Sequence, residues 1–436
     1  MNVAVRRPID TGYERLKPGP GKSPDEVRES QRTRIHRAMI DLVAERGVTG
    51  VTVRGLTQTS GVSTRTFYAH FPDADECFAA TYRTVMQWMV DQLREATSEN
   101  DSLEGGIRAW ITSLTRSAAD FPSAVRLAFV DSYDGGPAML REIAKETETL
   151  ERLLAEDPNP TQLALARGIV AGVDRVVSKS LLEHQQDGLP NSSDELADWV
   201  LRIHSSSPNG ESRASAGPTR PTRVESTDND SGFAVFRAIG GDRGRILGAV
   251  AKMGAADGYW NLTAPKIRRE ANVPLRRFEQ LFDGVADCYL EAIEAMTVAA
   301  VIRSSRSVPT RSNWPTRVAC ISRSLTAEVA ASPLLAKLAL TDLFAPGGVG
   351  RVRRAALIGT AAAWLCAESP CPGKPSSLAA EASAAAAWRV LQAGLAEHKG
   401  ETYGGPSAVV ACLILNASST QGPASEEDRK HCCGSH

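Results

Sequence analysis

The sequence predicts an all-α chain made of two tandem halves, each a helix-turn-helix head followed by a helical domain. Three observations carry that prediction. Sliding the chain by 211 positions pairs Arg32, Arg34, Ile35, Ala38, Ala44, Gly47, Thr52, Val62, Arg65, Phe67, Phe71 and Cys77 with Arg243, Arg245, Ile246, Ala249, Ala255, Gly258, Thr263, Val273, Arg276, Phe278, Phe282 and Cys288, which is 12 identities over 47 ungapped positions. Repetition at a fixed offset marks a duplicated architecture. Apolar residues recur at helical spacing nearly throughout, and alternating strand-type runs are absent. Finally, residues 204–232 are rich in Ser, Pro, Gly and Asn with almost no large apolar side chain, the composition of a disordered linker. A linker of that length spans roughly 30 Å, enough to let the halves lie side by side.

Taken in order, residues 1–30 read as a flexible basic arm and 31–78 as the first head. Ile35, Ala38, Met39, Leu42 and Val43 form a helical stripe that stops at Gly47. Thr52 is placed to cap "VRGLTQTS", Gly61 suits a left-handed turn, and Ser63 is placed to cap "TRTFYAHF". Asp73 with Glu76 three residues on caps the next helix, carried by Phe78, Tyr82, Val85, Met86, Met89 and Leu93. Residues 79–203 then read as a helical regulatory domain, 233–289 as the second head, 290–418 as its helical domain and 419–436 as a disordered tail. The Ala/Leu-rich segments 161–184, 192–204, 352–367 and 377–397 fit helices packed on helices.

Composition excludes several classes. With 42% hydrophobic and 23% charged residues the 436-residue chain can bury real cores. Its eight cysteines include no CxxC pair, so disulfides and structural zinc are not expected. No signal-peptide core or membrane-length apolar run appears, which points to the cytoplasm and no membrane. The net charge of −1 hides segregation: residues 1–70 carry 12 Lys+Arg against 7 Asp+Glu, residues 71–210 carry 12 against 23, and residues 237–282 carry 9 against 4. Basic blocks coinciding with helix-turn-helix patterns predict a polyanionic partner, double-stranded DNA.

In "SGVSTRTFYAHF", Val62, Phe67 and Phe71 anchor the second helix, leaving Thr64, Arg65, Thr66, Tyr68 and His70 on other faces. Arginine bonds guanine bidentately and threonine touches base edges, while Tyr and His reach phosphates. Thr52, Arg54 and Ser63 complete the predicted DNA-binding set. The run 32–78 resembles the amino-terminal DNA-binding domain of the TetR/AcrR family of bacterial transcriptional regulators. The resemblance implies phosphate contacts at Tyr68 and His70, and base readers at Thr64, Arg65 and Thr66. It also implies a dimer built on late helices and a small-molecule effector that alters the separation of the heads. The family's lysine near the start of the fourth helix is Ala74 here; Arg32, Arg34, Arg54 and the arm residues Arg6, Arg7, Lys17 and Lys22 are the substitutes.

The second copy, "ANVPLRRFEQLF", keeps the anchors Val273, Phe278 and Phe282 but has Asn272, Pro274, Glu279 and Leu281 where the first has Gly61, Ser63, Tyr68 and His70. Asn tolerates a left-handed turn and Pro a helix start, so the fold should survive. Glu279 repels phosphate whereas Arg268, Arg269, Arg276 and Arg277 attract it, so the copy is either a second, altered reader or a scaffold.

Other features are set aside. "APGGVGRVRR" follows no strand and aligns with "YDGGPAMLRE", an interhelical loop rather than a phosphate cradle. The tail "HCCGSH" reads as unstructured rather than metal-binding, and Trp110, Trp199, Trp364 and Trp388 read as core residues. No Ser/His/Asp set, paired-carboxylate motif or HExxH appears, so neither an enzyme nor a cofactor is expected. The resulting expectation is a ligand-responsive transcriptional repressor, its halves forming an intramolecular pseudo-dimer on an asymmetric operator, or else a homodimer of whole chains. The rival from another class is a small-molecule-sensing or interaction protein whose helix-turn-helix modules are structural.

Overall fold

A computed structural model describes residues 23–155, 159–205, 230–370, 374–397 and 404–417, which are helical with no strand among them. The first half comprises α1 (Pro24–Arg46), α2 (Val53–Ser60), α3 (Thr64–His70), α4 (Ala74–Ser98), α5 (Leu103–Asp120), α6 (Pro122–Phe129), α7 (Gly136–Leu154), α8 (Pro160–Leu182) and α9 (Ser193–His204). The second comprises α10 (Asp230–Ile239), α11 (Gly241–Asp257), α12 (Ala264–Ala271), α13 (Leu275–Leu281), α14 (Val285–Arg306), α15 (Trp314–Ala331), α16 (Pro333–Leu340), α17 (Gly348–Glu368), α18 (Ser377–Glu397) and α19 (Gly404–Ala417).

The boundaries of α2, α3, α5 and α6 recur 211 positions later in α12, α13, α15 and α16. One counterpart is broken: the continuous α1 becomes α10 and α11, parted at Gly240 and Gly241, both at positive φ. A longer loop before α18 moves the local register to 214, which brings Arg175 and Val176 of α8 opposite Arg389 and Val390 of α18. α17 is therefore the counterpart of α7, and α18 and α19 are those of α8 and α9.

The flexible arm predicted at 1–30 is corrected at its end. Ser23 and Glu26 form a reciprocal capping box, with Pro24 at the first helical position, so α1 starts seven residues earlier than the domain boundary at 31. The predicted linker 204–232 is likewise shortened, since His204 closes α9 and Asp230 opens α10; residues 206–229 lie outside the described residues, as do the arm residues 1–22 and the tail from 418. α4 runs unbroken from 74 to 98, across the head boundary expected at 78, and joins the head to the helices that follow.

α8 packs along α18, and α9 and α19 flank them. Small side chains permit the approach: a Cβ on Gly168 would lie 3.0 Å from Leu413 Cδ1, and one on Gly172 would lie 2.2 Å from Trp199 Cη2. Facing them, α18 presents the buried Ala379, Ala380, Ala382, Ser383 and Ala386. Trp199 is fully buried and donates its Nε1–H to Ser383 Oγ of the other half at 2.9 Å. Charged pairs close the seam, with Arg175 and Lys179 on Glu381, and Arg389 forking onto Glu151. Buried ion pairs rarely add net stability, but removing one partner leaves a costly unpaired charge. Tyr133 and Phe344, 211 positions apart, stack at 4.9 Å across the seam.

The glycine turn set aside above also crosses the seam. Asp134 Oδ1 stands 3.1 and 2.9 Å from where Cβ atoms would sit on Gly347 and Gly348, at the start of α17. Its close neighbour is thus a carboxylate of the first half, placed where a helix N-terminus favours negative charge.

Candidate nucleic-acid interface

Local chemistry builds the first head as the residues dictate. Thr52 Oγ1 accepts from Gly55 N at 3.1 Å, Gly61 takes the left-handed conformation at φ 65°, and Ser63 Oγ accepts from Thr66 N at 3.0 Å. Phe67 and Phe71 are buried, Val62 is half-buried, and α3 is thereby fixed with Thr64, Arg65 and Tyr68 exposed. Tyr68 is 55% exposed, its ring held edge-on to Phe67 at 5.5 Å. Among the described residues, the guanidiniums of Arg54 and Arg65 are in no ion pair. They present uncommitted donors beside the start of α3, which is the arrangement a major groove accepts.

Other predicted residues are already engaged. Ser63 and Thr66 share a hydroxyl contact at 2.8 Å, so both serve the cap as well as the surface. His70 is half-buried, 3.3 Å from Gln31 Oε1, and burial together with Arg32 and Arg28 lowers its pKa. A neutral ring can still donate one N–H to a phosphate. Arg34, expected as a substitute phosphate contact, is corrected: it is buried and its Nη1 donates to Ser60 O at 2.7 Å, tying α1 to the end of α2. Arg32 stays exposed.

Behind this face lies a polar contact that periodicity conceals. His36 is buried, with Nδ1 2.7 Å from Thr81 Oγ1, and Thr81 Oγ1 donates to Cys77 O at 2.8 Å. Because Arg32 Nε donates to His36 Nε2, the imidazole carries its proton on Nδ1. Burial, then Arg32, lowers its pKa to about 3. Unfolded, the ring titrates near 6.5 and takes up a proton that the folded head refuses, so its contribution is complete above that pH and is lost as pH falls towards 3. Lowering pH from 7.5 to 5 should therefore destabilise the fold by about 2 kcal/mol through this residue. Thermal melts of His36→Leu, which copies Leu247 of the second half, should show a correspondingly flatter dependence; an unchanged slope would refute the assignment.

The second head has the same skeleton. Asn272 takes the left-handed turn at φ 52°, Phe278 and Phe282 are buried, and Pro274 precedes α13. Its four arginines are not equivalent. Arg277 Nε is paired to Asp242 at 2.9 Å and Arg268 is half-buried, whereas Arg269 and Arg276 are exposed and in no ion pair among the described residues. Glu279 is exposed on the same short helix, and Trp260 and Leu275 add exposed apolar surface.

Among the described residues no helix is long and apolar enough to cross a membrane and no His/Cys/Asp/Glu group could hold a metal ion. No curated protein matches the chain. Solved structures similar to it include the following three. The fatty acid degradation regulator FadR from Bacillus halodurans is 16% identical, over 38% of this chain and 96% of its own, with a TM-score of 0.36. FadR from Bacillus subtilis, solved with stearoyl-CoA, is 15% identical over 38% and 96%, at 0.35. A TetR-family transcriptional regulator from Streptomyces coelicolor is 19% identical over 43% and 98%, at 0.35. Residues 35–81, which span the capped turn and the anchors of α3, match the domain described as bacterial regulatory proteins, tetR family. With that match on the helices that present Arg54, Arg65 and Tyr68, the chain carries at residues 35–81 a DNA-binding domain of the tetR family of bacterial regulatory proteins.

Proposed function

We propose that the protein is a ligand-responsive repressor whose two TetR-like halves act as an intramolecular pseudo-dimer on one operator. The observation that supports this reading is the packing of α8 and α9 on α18 and α19 within a single chain. Thr52, Arg54, Ser63, Thr64, Arg65, Thr66, Tyr68 and His70 form the first reading surface. Arg269 and Arg276 lead the second, with Arg268 and Arg277 behind them. Heads that enter successive major grooves must stand about 34–36 Å apart, and unlike heads read unlike half-sites. A ligand that alters the seam alters that spacing and releases the DNA.

DNA selected from a random pool with the full chain should yield a non-palindromic site, and light scattering of that complex should give one chain per minimal operator. Two chains per minimal operator would overturn the pseudo-dimer in favour of a homodimer of whole chains. Failure to enrich any sequence would favour a sensing or interaction protein with structural heads.

A further inference from the structure

The two halves of the seam differ at one place in a way that packing does not require. In the second half Trp388 lies half-buried on α18, its Nε1–H directed to Leu340 O at 3.4 Å. The register of α8 against α18 puts Asp174 at the same position in the first half, and Phe129 is the counterpart of Leu340. Where one half has an indole, the other has a narrow pocket lined by Asp174, Phe129, Tyr133, Phe344, Arg351 and Arg354. Only about 10 Å³ of it would admit a water-sized body.

The lining is chemically unusual for a helix interface. Nε and Nη1 of Arg351 and Nε of Arg354 are buried without a hydrogen-bond partner among the described residues. Arg354 lies over the Phe344 ring at 5.3 Å, and that ring stacks on Tyr133. Among the described residues Asp174 is in no ion pair or side-chain hydrogen bond, and burial raises its pKa to about 6 against the opposing pull of Arg354 and Arg175. The counterparts of Arg351 and Arg354 are Leu140 and Ile143, so an apolar solution to the same packing exists within this chain. Buried polar groups without partners ask for an explanation, and an arginine pair is suited to a carboxylate.

We propose that this pocket is an effector site for a small aromatic carboxylate. Arg351 and Arg354 bind the carboxylate, the ring lies where the Trp388 indole lies in the other half, and Asp174 accepts from a ligand N–H or O–H. The effector role rests on the regulator reading above; binding itself does not. Because the closed cavity is narrow, a ring must part α17 from the turn bearing Tyr133, which belong to different halves, so occupancy is transmitted to the spacing of the heads.

Calorimetry and thermal melts of the full chain with indole-3-acetate, benzoate and acetate test this. Indole-3-acetate should bind once per chain and raise Tm, benzoate should bind more weakly, and acetate should not bind. Asp174→Trp, which gives the first half the residue of the second, should fold and weaken indole-3-acetate at least about tenfold. Arg354→Ile should do the same and decides the matter should Asp174→Trp not fold. The proposal is overturned if neither aromatic acid binds, if acetate binds equally well, or if both folded variants bind as the parent does. Operator binding measured on the same preparations without ligand separates the two readings, since its loss strikes the regulator and leaves the pocket standing.

Discussion

Trp199→Ala should destabilise the protein by about 3–5 kcal/mol, the range for truncating a large buried aromatic. The side chain is fully buried, its ring fills the groove above Gly172, and its indole N–H reaches Ser383 in the other half. The change removes first-half packing and an inter-half hydrogen bond together. Denaturant melts should show it as a lower midpoint, and operator binding should weaken in the folded fraction if the seam spaces the heads as proposed above. The complementary Gly172→Ala tests the same contact from the other side, since its Cβ would stand 2.2 Å from the ring. Overpacking of this kind costs about 1–3 kcal/mol. A Trp199→Ala protein as stable as its parent would show that the seam is not what holds α8 and α18 together.

Arg65→Ala should lower affinity for a selected operator by about 1–3 kcal/mol and relax preference at one base position. Its guanidinium is exposed near the start of α3 and in no ion pair among the described residues, so nothing within the protein compensates for its removal. Arg54→Ala should instead weaken binding uniformly across sequences and reduce the log-affinity against log-salt slope by about one, as for a phosphate contact. The same pair of measurements on Arg276→Ala and Arg269→Ala decides whether the second head reads DNA. Binding by the first-head variant that equals the parent's in both affinity and preference would refute the base-reading role.

Most of the helical framework was legible because it rests on local rules. Caps at Thr52, Ser63 and Asp73 and left-handed turns at Gly61 and Asn272 depend on a few neighbouring residues, and each formed where the residues predicted it. The start of α1 lies within a basic, proline-containing stretch that reads as an arm, and it is set by the Ser23 to Glu26 capping box, an equally local signal. Arg34 and Arg32 are two residues apart and alike in composition terms, yet one is buried on Ser60 O and the other faces outward. That difference follows from where α2 ends against α1, which no window along the chain contains.

The all-helical class, the repeat, the capped helix-turn-helix and the hydrophobic stripe that holds α3 are legible along the chain, because each follows from helical period or from hydrogen bonds closed within four residues. Which cations are engaged follows from how the helices pack, with Arg277 drawn to Asp242 and Arg34 buried. The same packing places Trp199 on Ser383 and sets Asp174 where its counterpart is Trp388. Those pairings join residues up to 238 positions apart, as in Arg389 and Glu151. Their partners are chosen by how whole helices approach one another, and a charge or an indole has no preference for a partner until that approach brings one within reach.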